Sequence, residues 1–243
     1  MAIAVVQEAE SPVATASTTW TFNFASNVTA GNVVVIMARL TTNARTPGTP
    51  VSSGSATFAS VTSVGGTAVG QLRMWSAVES GTGNKTYTIT ISGSLTAAGV
   101  MQAWELSGAD GATATSSGTS TANSTTTTTN PVCVDTGLTI PTGGIFLGVI
   151  GTTAANGVGT FTDPTNFTRD YFSNTGTGTT AVWCGNSTTA ASGVTGQATI
   201  TTARTVYGLG AVWSQAAAGG GGPFPFFTRR KLTGGMVSPR GGM

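Results

Sequence analysis

The chain contains no histidine. That removes the imidazole from any Ser-His-Asp or Cys-His catalytic arrangement and from any His-based metal site. Charge is scarce as well: Asp, Glu, Lys and Arg together make up 7% of the residues. The carboxylates are Glu8, Glu10, Glu79, Glu105, Asp110, Asp135, Asp163 and Asp170. Glycoside hydrolysis needs two of them flanking a sugar. Glu79 and Glu105 both fall near strand ends and could form such a pair, although nothing in the spacing favours it. The two cysteines, Cys133 and Cys184, make no CxxC motif. A disulfide would need facing strands to bring them together; two buried free thiols is the favoured reading. No apolar run is long enough to cross a bilayer, and Val33–Ala38 is strand-sized. The Gly-rich stretches lack a Walker lysine. These absences predict a protein that is not an enzyme, with no catalytic, cofactor-binding or metal residues and no membrane partner. Net charge is +2, so nucleic acid is a poor candidate partner.

What the chain has in quantity is threonine, about one residue in five, and glycine, 35 of 243. The period is two almost throughout. Trp20, Phe22 and Phe24 alternate with Thr19, Thr21 and Asn23; Tyr87, Ile89 and Ile91 alternate with Thr86, Thr88 and Thr90. Such alternation marks half-buried strands, apolar inward and threonine outward. Threonine suits that place because its β-branch favours the pleat while its hydroxyl meets water. Between the strands lie Gly, Asn and Pro clusters such as Thr46–Pro50, Gly81–Asn84 and Asn174–Gly178. Asp163-Pro164 and Gly108–Gly111 read as turns.

Strands are expected at about 18–24, 32–40, 57–64, 71–79, 85–92, 98–107, 125–135, 144–153, 166–173, 179–187, 195–202 and 205–214. The expected fold is all-β: an antiparallel β-sandwich of jelly-roll type over 1–217, followed by an extended C-terminal tail over 218–243. The chain also reads as two pseudo-repeats, about 1–110 and 125–217. Trp75 and Trp183 are 108 positions apart, Trp104 and Trp213 are 109 apart, and Phe58 and Phe167 are 109 apart. The repeat leaves open two tandem sandwiches or one sandwich with related halves. The segment Gly111–Asn130 is low in complexity; a flexible linker and an exposed edge strand with no core face are alternatives to the preferred reading, a loop leading into a strand.

The order of these motifs carries a resemblance. An aromatic strand, Thr19–Phe24, is followed by an apolar strand after Gly31-Asn32. Then come Ser60–Gly66, a Trp strand, Asn84–Gly93 and Trp104–Gly108. Over roughly 15–216 the chain resembles the lectin-like jelly-roll modules common in phage structural proteins and bacterial surface proteins. The resemblance implies one continuous sandwich and no catalytic residues. The N-terminus, Met1–Glu10, lacks the basic start and apolar length of a secretory signal. An exterior-type composition on a chain made in the cytoplasm points to a virion: a phage capsid decoration or cement protein, assembled in the host cytoplasm and exposed on the particle. A fibre or adhesin module binding host-surface glycan is the alternative. Trp75, Trp183, Tyr171 and Phe172 are its candidates for stacking on sugar rings, although strand-borne Trp is more often core.

After Ala218 the composition changes. Gly219–Gly222 reads as a hinge. Phe224, Phe226 and Phe227 follow, interleaved with Pro223 and Pro225, and then Arg229, Arg230 and Lys231. With Arg240, the tail carries four of the ten basic residues. The six aromatic and basic residues are the expected docking contacts: the rings fill pockets and the cations pair with acids. The expected partners are a major capsid protein or neighbouring virion subunits, with the chain itself forming a homo-oligomer.

Overall fold

The structure is a computed structural model, and it describes residues 1–12, 18–40, 45–66, 70–92, 99–121, 128–152, 158–173 and 181–217. The expected docking residues Phe224, Phe226, Phe227, Arg229, Arg230 and Lys231 lie outside the described residues. Among the described residues every regular element is a β-strand, and every strand pair is antiparallel. The fold is all-β, with sheets stacked as in a sandwich.

Two five-stranded sheets form the centre. The first has the order β1 (Ala4–Pro12), β8 (Gly99–Ser107), β3 (Val33–Leu40), β6 (Gly70–Val78) and β5 (Ala59–Gly66). The second has the order β9 (Ser116–Thr121), β17 (Val206–Trp213), β11 (Ile145–Thr152), β14 (Val182–Ser187) and β13 (Thr168–Ser173). A three-stranded sheet, β2 (Thr19–Asn23), β7 (Thr86–Thr90) and β4 (Val51–Ser52), covers the outer face of the first. Two ribbons complete the strand set: β10 (Leu138–Ile140) with β15 (Ala191–Val194), and β12 (Phe161–Thr162) with β16 (Thr199–Ile200). Their residues pack on the outer face of the second sheet.

This layering explains two kinds of sequence pattern. β2 and β7 have one covered face, so they alternate. β3, β11 and β17 are buried at every position. In β3, Val33, Val35 and Met37 point into the layer between the large sheets, while Val34, Ile36, Ala38 and Leu40 meet the aromatic layer under β2. A strand sealed on both faces reads as an unbroken apolar run. Strand β17 adds glycines to that run, because the segment at Cys133 lies directly on it. A Cβ on Gly208 would approach the Cys133 carbonyl oxygen to 2.7 Å and its Cα to 2.9 Å. Both cysteines are buried and free, in agreement with the sequence.

The expected strands mostly recur with small shifts in their ends. Over the described part of 125–135 no strand forms; Thr128 and Val132 make only isolated bridges, to Arg204 and Gln197. The expected strand at 195–202 shrinks to β16, with β15 before it. Within Gly111–Asn130, β9 is a true edge strand, held by backbone pairing to β17. β1 was not expected. It is a polar edge strand that pairs with β8 through a bulge between Val5 and Gln7.

One buried cation crosses the central layer. Arg39 on β3 is 2% exposed. Its Nε donates to the Tyr207 hydroxyl at 3.0 Å and its Nη2 to the Thr152 carbonyl at 2.8 Å, both on the opposite sheet. Removing a partner from a buried donor costs about 1–3 kcal/mol. Tyr207→Phe should therefore lower the melting temperature by several degrees in thermal unfolding followed by tryptophan fluorescence, at about 2–4 °C per kcal/mol for a chain of this size. No change would mean that water takes over the Arg39 contact.

Candidate functional site

The central layer is open along its two long edges, and each edge holds a cleft. Between β5 and β9 the cleft is neutral, about 260 Å³, lined by Ser60, Val61, Ser76, Thr113 and Ser117 among others. Between β1 and β13 the cavity is about 240 Å³, and it is acidic. Glu8, Ala9 and Glu10 come from β1, Gln102 from β8 and Asp170 from β13.

Each of these side chains is placed by pairing. Glu8 lies opposite Trp104, and Glu10 opposite Gln102. Trp104 crosses the layer and donates its Nε1–H to Asp170 Oδ2 at 2.7 Å. Asn186 on β14 donates to Asp170 Oδ1 at 2.7 Å. The carboxyls of Asp170 and Glu8 lie near each other across the sheets and influence each other's charge. Burial pushes the Asp170 carboxyl up to about 7, and the nearby Glu8 charge adds to the shift, against the bonds from Trp104 and Asn186. Glu8 is also raised, by burial first and by Glu10 second. Burial and the neighbouring carboxyl thus both favour the protonated form of Asp170. Gln102 is 1% exposed, and its Oε1 has no donor. The other titratable groups facing this region are Arg39 from β3, Tyr171 from β13 and Cys184 from β14. The only ion pair between side chains of the described residues lies elsewhere, between Arg169 and Asp163 at 2.7 Å.

The carboxylates named for sugar hydrolysis are not at this cavity. Glu79 and Glu105 are both fully buried. Glu105 accepts from the Thr29 backbone at 2.8 Å, from Asn32 Nδ2 at 2.7 Å and from Gln7. Glu79 accepts from Ser52 at 3.0 Å and Tyr87 at 2.9 Å. Glu105 ties the Thr29–Asn32 loop to β8, Glu79 ties β4 and β7 of the outer sheet to the end of β6, and neither is open to a sugar. Trp75 and Trp183 are core residues, 2% and 0% exposed, so they offer no ring to a glycan. Tyr171 and Phe172 are half-buried, and the Arg169 guanidinium already lies 4.8 Å from the Phe172 ring centre. Among the described residues no three His, Cys, Asp or Glu side chains come together as metal ligands would.

The acidic cavity was missed by sequence reasoning. Its weak signal was Glu8 and Glu10 two residues apart, on one face of a strand that was itself not expected.

The pair gives a pH dependence of known sign. Asp170 holds its proton more tightly folded than unfolded, so its stabilising effect is complete below about pH 4 and is lost as pH rises through about 7. The melting temperature should fall between pH 5 and pH 8, and Asp170→Asn should flatten that slope. A wild-type slope equal to that of the variant would show that Asp170 is not the titrating group.

No family model matches the chain, and neither a curated protein nor a solved structure matches it.

Proposed function

We propose that the protein is a structural component of a bacterial virus particle, a capsid decoration or cement protein whose folded body is displayed outward and whose tail anchors it. The observation that carries this reading is where the sticky groups lie. Among the described residues the exposed large hydrophobics are Met1, Val6, Val51 and Val78, scattered singly. The body thus offers no broad apolar docking face among those residues. Three phenylalanines and three cations are instead concentrated between Phe224 and Lys231. Aromatic anchors and arginine are the side chains that dominate binding energy at interfaces. The body is non-catalytic in this reading, and the partner is a major capsid protein or a neighbouring subunit.

The same proposal takes the body as two related jelly-roll halves. Supporting it is the matched order of the large sheets, β1-β8-β3-β6-β5 and β9-β17-β11-β14-β13. In the first half β1 to β4 alternate between two sheets, β5 and β6 pair as neighbours, and the first strand lies beside the last, as in a jelly roll. Trp104 and Trp213 both point into the central layer, and Trp75 and Trp183 both point away from it. The edges also exchange as in a two-fold dimer: β1 faces β13, and β9 faces β5.

A fibre or adhesin role is the second reading. Half-buried Tyr171, next in sequence to Asp170 of the carboxyl-lined cavity, is what favours it. Deleting 219–243 separates the two. With the tail gone, the protein should no longer co-sediment with particles from an infected-cell lysate, while its circular dichroism stays β-rich. Undiminished co-sedimentation would put the contacts on the body, and specific signals on a glycan array would favour the adhesin.

A further inference from the structure

The acidic cavity between β1 and β13 has the chemistry of a receptor for a cationic side chain. Three carboxyl groups and one amide oxygen line it, so it presents acceptors. The orphaned Gln102 Oε1 is the decisive group. A buried acceptor without a donor costs about 1–3 kcal/mol, and native structures rarely leave one so. A guanidinium or ammonium entering between Glu8 and Asp170 would pair with their carboxyls and give Gln102 its donor. A planar guanidinium also matches carboxylates in bidentate fashion.

The chain supplies such cations itself. Outside the tail it has six basic residues against eight acidic ones, and the remaining four basic residues all follow Thr228. The described chain ends at the right side of the molecule. The Ala216 N–H donates to the Gly108 carbonyl at 2.8 Å, just past the end of β8. Gln102 lies six residues back along that strand, roughly 20 Å away at about 3.3 Å per residue. Arg229 follows Ala217 by a dozen residues, which span up to about 40 Å when extended. The reach is sufficient, and tethering gives an effective concentration on the order of millimolar.

We propose that the basic cluster Arg229–Lys231 docks into the Glu8–Glu10–Gln102–Asp170 cavity of its own chain. This deepens the docking role given to the tail, because it names where the tail rests when no particle is present.

The test uses the full-length protein and a carbodiimide, which joins a carboxyl to an amine in direct contact. The chain has two lysines, Lys85 and Lys231, so the tail's amine is unique within the tail. Peptide mapping should show Lys231 joined to Glu8, Glu10 or Asp170. In an equal mixture of ¹⁵N-labelled and unlabelled protein the joined peptides should carry matching labels. Glu8→Gln/Glu10→Gln/Asp170→Asn should abolish these links while Lys85 links persist. Mixed labels would overturn docking within one chain. Links from Lys231 to Asp110, Asp135 or Asp163 in comparable yield, or none at all, would overturn the cavity as receptor. So would a Lys231 signal that is absent while calcium chloride raises the melting temperature of the wild type but not of Asp170→Asn; the cavity would then take a metal ion. Because no particle takes part, this result is independent of co-sedimentation, and either can fail alone.

Discussion

The rest of the molecule depends on the face-to-face contact of its two five-stranded sheets. Val33, Val35, Met37, Leu72, Met74, Trp104 and Leu106 from one sheet meet Ile145, Leu147, Val149, Leu209, Ala211 and Trp213 from the other. This contact buries the second face of strands whose first face is already covered by smaller sheets and ribbons. Burial of apolar surface is the dominant favourable term in folding, at about 25 cal/mol per Å². Apolar side chains such as Val33, Val35 and Met37 on a middle strand would otherwise face water. Arg39 is the polar exception inside the layer, and it is tolerated because the opposite sheet supplies two acceptors.

That constraint also decides what is left for function. With the middle strands β3, β11 and β17 buried at every position, the open chemistry among the described residues lies at edges and loop ends. The two open edges differ in kind. One is lined by small and hydroxyl-bearing side chains, the other by carboxyl groups and an amide oxygen. The acidic edge is held by Trp104, which packs in the core and also donates to Asp170 across the sheets. Core packing and site geometry are thus set by the same residue.

Much of the fold was legible where one physical rule dominated. β2 and β7 announce themselves by alternation, and β3, β11 and β17 by apolar runs of strand length. β1 was not legible, and β9 only as one alternative for its segment, because neither shows a clear alternation of apolar and polar residues. β9, Ser116–Thr121, has no large apolar side chain and exists because β17 offers it a backbone edge. β1 is acidic, and its pairing with β8 depends on residues about a hundred positions away. The stretch around Cys133 looked like a strand but lies over the glycines of β17 and pairs only at isolated points. The acidic site follows the same logic. Asp170 was visible only as one carboxylate of eight, because its burial and its contact with Glu8 arise from the stacking of the sheets. The expected docking residues of the tail lie outside the described residues, and that expectation rests on composition alone.

The central claim is that the two large sheets form one cooperative unit. Differential scanning calorimetry tests it most directly, because a two-state unit has equal calorimetric and van't Hoff enthalpies. The account predicts a single transition with a ratio near one. Two resolved transitions, or a calorimetric enthalpy about twice the van't Hoff value, would mean that each half folds on its own and that the central layer is a secondary contact.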